Sequence, residues 1–316
     1  MKRKVIQIAN STQLVSLPRR WALQFGIKKG DELEVLEKGS KIEISTEKCR
    51  GTEKVTLDVS ELDRSSLIYY LRAAYRRGFE LIEIRFDKAL TTYFRNDTKL
   101  KILSIIHKEV DSLIGIEIIQ QKESFCLIKS VSDVSFDEFD TLFRRVFILY
   151  LDAVKDFVDA IKNNDFVMVE TIEEKHRSIT KFVSYCLRLL NKKGFSSQVK
   201  SNLYYHTLET IDKLSHTLKY GARFVNEKKL KINKKAVKIV ENIEDSIRIY
   251  YDLFYKFNLK KVTQFYENRE KTLNLFYAMI KDLNKDEIIV LEKLNGIPEL
   301  LVGLTHVRMA IEFPET

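Results

Sequence analysis

The chain has 316 residues, of which 45% are hydrophobic and 31% charged, and its formal net charge is +9 at pH 7. This length predicts two or three domains, and the mixture of apolar and charged residues excludes a disordered chain. No apolar run approaches the roughly 18 residues that a membrane span needs, and the basic first residues lead into a strand and not into a signal sequence. We therefore expect a cytoplasmic protein without membrane insertion, whose three cysteines (Cys49, Cys126 and Cys186) are reduced thiols.

The first 46 residues predict a small β-rich unit with one basic end. Strands are expected at residues 5–8, 14–17, 32–36 and 41–44, with a short helix after Pro18. No acidic residue precedes Asp31, whereas seven basic residues do. A compact unit with its positive charge on one end is typical of a nucleic-acid-binding domain.

The short helix and the N-terminal arm provide the candidate DNA contacts. Pro18 suits the first helical position because it has no N–H to leave unpaired, and Leu23 and Phe25 are the expected apolar contacts of that helix. Contacts to phosphates position a protein on DNA, and contacts to bases give specificity. The sequence does not assign individual side chains to either class, and a solvated basic face is the alternative. The candidate DNA-binding residues are Lys2, Arg3, Lys4, Asn10, Ser11, Thr12, Arg19 and Arg20.

Three sequence motifs, and their order along the chain, characterise this region. They are Leu17-Pro18-Arg19-Arg20, Gly26-Ile27, and Gly30-Asp31-Glu32-Leu33-Glu34-Val35. With the surrounding strands, residues 3–46 resemble the AbrB/SpoVT family of swapped-hairpin DNA-binding domains. The resemblance implies an obligate homodimer in which two chains exchange hairpins to close one barrel. One departure is that the basic pair of better-known members often lies one turn later, where this chain has Ala22 and Leu23.

Residues 47–132 predict a small α/β unit. Strands are expected at 54–59, 81–86, 116–119 and 125–128, and helices at 67–75 and 100–110, in the order β-α-β-α-β-β. The segment contains no phosphate loop, catalytic triad or metal-binding spacing. We interpret it as a spacer or a module that supports dimerisation.

Residues 133–316 predict six long helices. Ser135 and Glu138 have the spacing of a capping box, and a long apolar stripe follows them. Turns are expected at 163–165 and near Gly194, and the sixth helix is expected to be interrupted at Gly296-Ile297-Pro298. The helices form two similar three-helix cycles, which predicts tandem antiparallel bundles. This arrangement resembles the PhoU family, and an AbrB-like domain before such a bundle implies an archaeal regulator of phosphate uptake.

The resemblance to PhoU proteins also implies metal sites made of carboxylates four residues apart. Such carboxylates share a helix face, and their oxygens suit iron or other divalent cations. Glu173 and His176 also have the i,i+3 spacing of di-iron bundles, although a histidine on an apolar stripe is more often a hydrogen-bonded core residue. No cofactor is required by the sequence. The candidate metal ligands are Glu170, Glu173, Glu174, His176, Glu209, Asp212, Glu241, Asp245 and Glu267.

Together these features predict a multidomain α+β protein with a swapped-hairpin barrel (1–46), an α/β linker domain (47–132) and a PhoU-like bundle (133–316). The predicted function is DNA-binding transcriptional regulation, in phosphate uptake or phosphate signalling. One alternative is an adaptor that binds a phosphate transporter or a signalling protein, with the N-terminal unit acting in dimerisation. Another is a ferritin-like di-metal protein. No nucleophile or pair of catalytic carboxylates stands out, so an enzyme is not expected.

Overall fold

The computed structural model describes residues 2–8, 12–38, 40–46, 53–132 and 135–314. The chain divides into two compact units, residues 1–53 and residues 54–315. The first unit contains short strands and one short helix, and the second contains an α/β part and a large helical part. The predicted mixed α+β multidomain fold is confirmed.

The N-terminal unit consists of two separate two-stranded antiparallel sheets. Its elements are β1 (Val5–Ile8), β2 (Thr12–Val15), α1 (Arg19–Gln24), β3 (Glu34–Lys38) and β4 (Lys41–Ser45). β1 pairs with β2, and β3 pairs with β4. Pro18 caps α1 and does not occupy its first helical position as predicted. Its extended backbone (ψ 121°) lets its carbonyl accept the Ala22 N–H at 2.9 Å.

The side chains of this unit that the structure describes form no hydrophobic core. Among residues 2–8, 12–35, 37, 40–46 and 53, none is buried. Leu23, an expected contact of α1, is 71% exposed, so that prediction is wrong within a single chain. Phe25 lies beside Trp21, with ring centroids 5.6 Å apart. Two-stranded hairpins with an uncovered apolar face are at best marginally stable in water, so this unit requires a partner surface.

The α/β part contains a four-stranded sheet in the order β5-β6-β10-β9. β5 and β6 are parallel, and the other neighbours are antiparallel. The predicted element order is confirmed except for an additional hairpin, β7–β8, between β6 and α3. The elements are β5 (Lys54–Asp58), α2 (Arg64–Arg77), β6 (Leu81–Arg85), β7 (Leu90–Tyr93), β8 (Thr98–Lys101), α3 (Ile102–Asp111), β9 (Ile116–Lys122) and β10 (Phe125–Ser130).

Six long helices follow, as predicted, and most of them begin at a side-chain cap. Asp165, Ser197, Asn233, Asn258 and Asn284 each accept a backbone N–H from the first turn of the helix that follows. Such caps satisfy N–H groups that have no partner inside the helix. The helices are α4 (Phe139–Asn163), α5 (Phe166–Lys192), α6 (Gln198–Lys228), α7 (Lys234–Tyr255), α8 (Leu259–Met279, followed by a 3₁₀ turn at Ile280–Asp282) and α9 (Lys285–Ile311).

The helices share one continuous core. α5 packs between α4 and α6, α4 and α6 pack on α7 and α9 respectively, and α7 also contacts α8 and α9. α2 of the α/β part packs on α5, which joins that part to the helices within one compact unit. Among the described residues, no helix combines the length and the hydropathy needed to cross a membrane.

Two predicted details of the helices are wrong. The Ser135 hydroxyl donates to the Asp137 carboxylate at 2.8 Å and makes no capping box, because α4 begins only at Phe139. α9 is not interrupted near Pro298 but continues through it. Proline removes one helical hydrogen bond. Burial of Leu294, Ile297 and Leu301 on either side of it keeps the helix in place, because these side chains belong to the common core.

Candidate functional site

The predicted DNA-contacting side chains that the structure describes are exposed. Lys2, Arg3 and Lys4 precede β1, and Arg19 and Arg20 begin α1. Thr12 is exposed at the start of β2. Asn10 and Ser11 lie outside the described residues. These positions leave the basic side chains available for an anionic partner, and their contact with DNA stays a prediction.

A buried polar cluster lies where α2, α5 and α6 meet. Arg76 of α2 donates to the Glu209 carboxylate at 2.8 Å and to the Asp212 carboxylate at 2.9 Å. It also donates to the Ser184 hydroxyl of α5. Arg76 and Glu209 line a cleft of about 440 Å³. A single guanidinium of the α/β part is therefore shared between two carboxylates of α6.

Two histidines and one carboxylate converge in this cluster. The ligand atoms of His176, Asp212 and His216 all lie within 4.8 Å of one another. The Lys219 ammonium lies 3.0 Å from His216 Nδ1 and 3.4 Å from His176 Nε2. The Thr180 hydroxyl donates to Asp212 Oδ1 at 2.9 Å. Both imidazoles thus present a ring nitrogen to one cation, and Asp212 is held by two donors.

The electrostatics of this cluster follow from burial and from the crowded cations. Burial, with the positive charge of Lys219, lowers the pKa of His176 to about 3 and that of His216 to about 4. Burial also lowers the pKa of Lys219 to about 8. Burial is the largest influence on Asp212 and opposes its ionisation, but the charge and hydrogen bond of Arg76, with His216 and the Thr180 hydroxyl, together lower the pKa of Asp212. At neutral pH the cluster therefore holds two neutral imidazoles, a carboxylate and an ammonium.

Two other predicted metal ligands of α5 point to basic partners. Glu173 accepts from Arg223 at 2.6 Å, and Glu174 is 3.7 Å from Arg177. Glu170 is exposed. The carboxylates four residues apart on α5 therefore do not converge with ligands from a facing helix.

The predicted ligands of α7 and α8 lie apart from the buried cluster. Glu241 forms ion pairs with Lys162 at 2.8 Å and Lys238 at 3.0 Å. Asp245 and Glu267 are exposed. In the described ranges, His176, Asp212 and His216 are the only group of three candidate ligands that converge. The acidic set implied by the PhoU resemblance does not fit a shared metal here, and its role as ligands stays a prediction.

The prediction missed His216, although a signal for it was present. Asp212 and His216 are four residues apart on α6, so they share a helix face. The prediction also missed Lys219 and Arg76. Arg76 reaches the cluster from 136 residues away in sequence. No local pattern in the sequence could place it beside Asp212.

The end of α2 is fixed to α5 by hydrogen bonds to the carbonyl groups of Tyr75, Arg76 and Phe79. Arg188 donates to the carbonyls of Tyr75 and Phe79 at 2.8 and 3.1 Å, and Asn191 donates to the carbonyl of Arg76 at 2.7 Å. The last carbonyls of a helix lack the usual partners inside it, and donors from α5 supply hydrogen bonds there, in addition to the Gly78 N–H that the Tyr75 carbonyl accepts. These contacts and those of Arg76 hold α2 against α5 and α6.

Comparison with known proteins finds two similarities, which cover different parts of the chain. A family described as antidote-toxin recognition MazE, bacterial antitoxin, matches residues 6–48. The match supports the predicted resemblance of the N-terminal unit to a swapped-hairpin domain. The comparison with curated proteins finds no match.

One solved structure is similar over the larger part of the chain. It is the phosphate transport system regulatory protein PhoU from Streptococcus pneumoniae, with 14% sequence identity and a TM-score of 0.47. The similarity covers 56% of this chain and 95% of that chain. It is a likeness of fold alone.

Proposed function

We propose that this protein is a homodimeric, DNA-binding transcriptional regulator of the cytoplasm that acts in phosphate uptake or phosphate signalling. The observation that carries the proposal is the N-terminal unit, which is basic, matches a MazE-type family and buries none of the side chains that the structure describes there. The PhoU-like arrangement of the six helices supports the phosphate part, as a resemblance of layout. A phosphate transporter or a signalling protein is the further partner that this resemblance suggests.

The exposed apolar side chains of the N-terminal unit support dimerisation through that unit. Nine large apolar side chains in β1, β2, β3, β4 and α1 are each more than one third exposed. At roughly 25 cal/mol per Å² of apolar surface, covering them would stabilise the unit substantially. A second copy of the same hairpins offers a matching surface with matching edges. The exposed side chains are Val5, Ile6, Ile8, Leu14, Val15, Leu23, Val35, Ile42 and Ile44.

The distribution of charge supports DNA as the partner of the basic end. The first 30 residues carry seven basic side chains and no acidic one. Arg19 and Arg20 are exposed at the start of α1. In a dimer these arginines number four, and each phosphate that a basic residue neutralises releases counterions from DNA. Binding should therefore weaken steeply as salt rises.

The proposal is tested by fluorescence anisotropy with labelled duplexes across a salt series. The native duplex is the DNA upstream of the protein's own coding region, and a scrambled duplex of equal composition is the reference. Wild type should prefer the native duplex. In Arg19→Ala/Arg20→Ala the slope of log K against log salt should become shallower by about 3–4, since each of four lost phosphate contacts contributes about 0.9.

A charge-matched control separates local contacts from net charge. Lys99 and Lys101 are exposed on β8 in the second unit, and Lys99→Ala/Lys101→Ala removes the same charge. This variant should retain the wild-type slope. Absence of binding by wild type at moderate salt would refute DNA binding. It would favour the adaptor, in which the N-terminal unit serves dimerisation.

A further inference from the structure

The buried cluster at α5 and α6 has the donors of a transition-metal site. His176 Nε2 and His216 Nδ1 lie 3.4 and 3.0 Å from the Lys219 ammonium, and in the tautomers that accept from it both rings turn a lone pair toward the same cation. The Thr180 hydroxyl is the second neighbour of His176 Nε2, at 3.5 Å. One ring nitrogen of each histidine and one carboxylate oxygen of Asp212 lie within 4.8 Å of one another. Two imidazoles and a carboxylate this close together form a ligand set that zinc-class ions commonly take.

The distances are close to those that a bound metal requires. Bonds of about 2.0–2.2 Å to Zn²⁺ place neighbouring ligand atoms roughly 3.3 Å apart in a tetrahedron. The ligand atoms of His176, Asp212 and His216 now lie within 4.8 Å of one another. Side-chain rotations would have to shorten these separations by at most about 1.5 Å to reach that geometry. His176 lies on α5, and the other two are one turn apart on α6, so two packed helices define the site.

We propose that His176, Asp212 and His216 form a binding site for a divalent transition metal of the Zn²⁺ class, and that the Lys219 ammonium occupies the position of the metal when none is bound. The lysine acts as a tethered competing cation. The site goes beyond the proposed DNA binding and does not depend on it.

The surroundings of Asp212 resemble the outer shell of a metal ligand. Thr180 donates to one carboxylate oxygen at 2.9 Å, and Arg76 donates to the other at 2.9 Å. Outer partners of this kind fix the orientation of a ligating group and commonly change metal affinity 10- to 100-fold. Because Arg76 belongs to α2, the site is attached to the α/β part as well as to the helices.

The test is isothermal titration calorimetry of Zn²⁺, and separately of Co²⁺, into the DNA-free, chelator-washed full-length protein. Wild type should bind one ion per chain. His216→Ala and His176→Gln should weaken binding at least about 10-fold, since each removes one of three ligands. His206→Ala is the matched control, because His206 is exposed on the same helix, and it should bind as wild type.

Lys219→Met distinguishes a metal site from a purely structural hydrogen-bond cluster. If the ammonium competes with the metal, removing it should tighten binding about 10-fold, because two cations so close together repel strongly. Far-UV circular dichroism checks that each variant is folded. The proposal is overturned if wild type binds neither ion, or if binding is unchanged in the two histidine variants. Unchanged or weaker binding in Lys219→Met also overturns it.

Discussion

Replacing Arg188 with methionine should destabilise the second unit strongly. The Arg188 side chain is 1% exposed. It donates to the Tyr75 and Phe79 carbonyls at 2.8 and 3.1 Å, and its guanidinium lies 4.9 Å from the centroid of the Tyr75 ring. Methionine keeps the length of the apolar stem but supplies no donor. The substitution therefore leaves the end of α2 without two of its hydrogen bonds.

The size of the effect follows from these contacts. A hydrogen bond from a charged group contributes about 1.5–3 kcal/mol, so the loss of two corresponds to about 3–6 kcal/mol. In a domain of this size each kcal/mol shifts the Tm by about 2 °C, which predicts a decrease of about 6–12 °C. Thermal unfolding followed by circular dichroism measures it. Arg177→Met is the control on the same helix, because the Arg177 side chain is 68% exposed, and it should change the Tm by less than 2 °C.

A different result would refute the reasoning about the junction of α2 and α5. If Arg188→Met unfolds within 2 °C of Arg177→Met, the carbonyls of Tyr75 and Phe79 do not depend on this side chain. The α/β part would then be held to the helices by apolar packing and by the remaining polar contacts, such as those of Arg76 and Asn191. A large decrease in both variants would show that α5 tolerates no loss of charge, and the control would have failed.

Three further predictions concern other parts of the chain. Ile42→Lys, which places a charge at a 68% exposed apolar position of β4, should shift the protein from dimer to monomer in sedimentation velocity and abolish DNA binding. Cys126 and Cys186 should remain unmodified by a thiol reagent at pH 8 until the protein unfolds, as measured by peptide mass spectrometry, because burial raises their pKa values to about 11 and 12. Glu287→Ala should lower the stability by about 3 kcal/mol in urea unfolding, since this buried carboxylate accepts from both the backbone and the side chain of Asn233 and completes the capping box of α9.

Much of the second unit could be predicted because the residues that begin and end its helices are recognisable from the local sequence. Gly78 ends α2 in a left-handed conformation (φ 107°), and Asp165, in the predicted turn at 163–165, caps α5. Predictions failed where a distant contact overrode a local rule. Pro298 predicts an interruption, but the apolar residues around it are buried in the common core and preserve the helix. Local propensity decides an element only when packing does not oppose it.

The hairpin β7–β8 was missed for a related reason. Its strands, LTTY and TKLK, have little of the apolar alternation that identifies a strand in sequence. Thr91 is nevertheless buried, and its hydroxyl donates to the Leu62 carbonyl at 2.6 Å. The hairpin is thus fixed by a polar contact to the segment before α2, which no pattern within the hairpin could indicate.

The candidate metal site shows how far reasoning from residues can go and where it stops. His176 and Asp212 were identified from spacing on single helices, and His216 shares a face with Asp212 and could have been added in the same way. The decisive observation is that the ligand atoms of the three residues lie within 4.8 Å of one another, which depends on how α5 packs against α6. That packing also brings the Lys219 ammonium close to both rings, so the contact that assembles the ligands also places a cation that competes with the metal.

A site that holds its own cation needs no metal to fold, so metal binding can depend on the supply of the ion. Arg76 then gives that binding a physical route to α2, because any movement of Asp212 toward a metal must lengthen or reorient its ion pair with the α/β part.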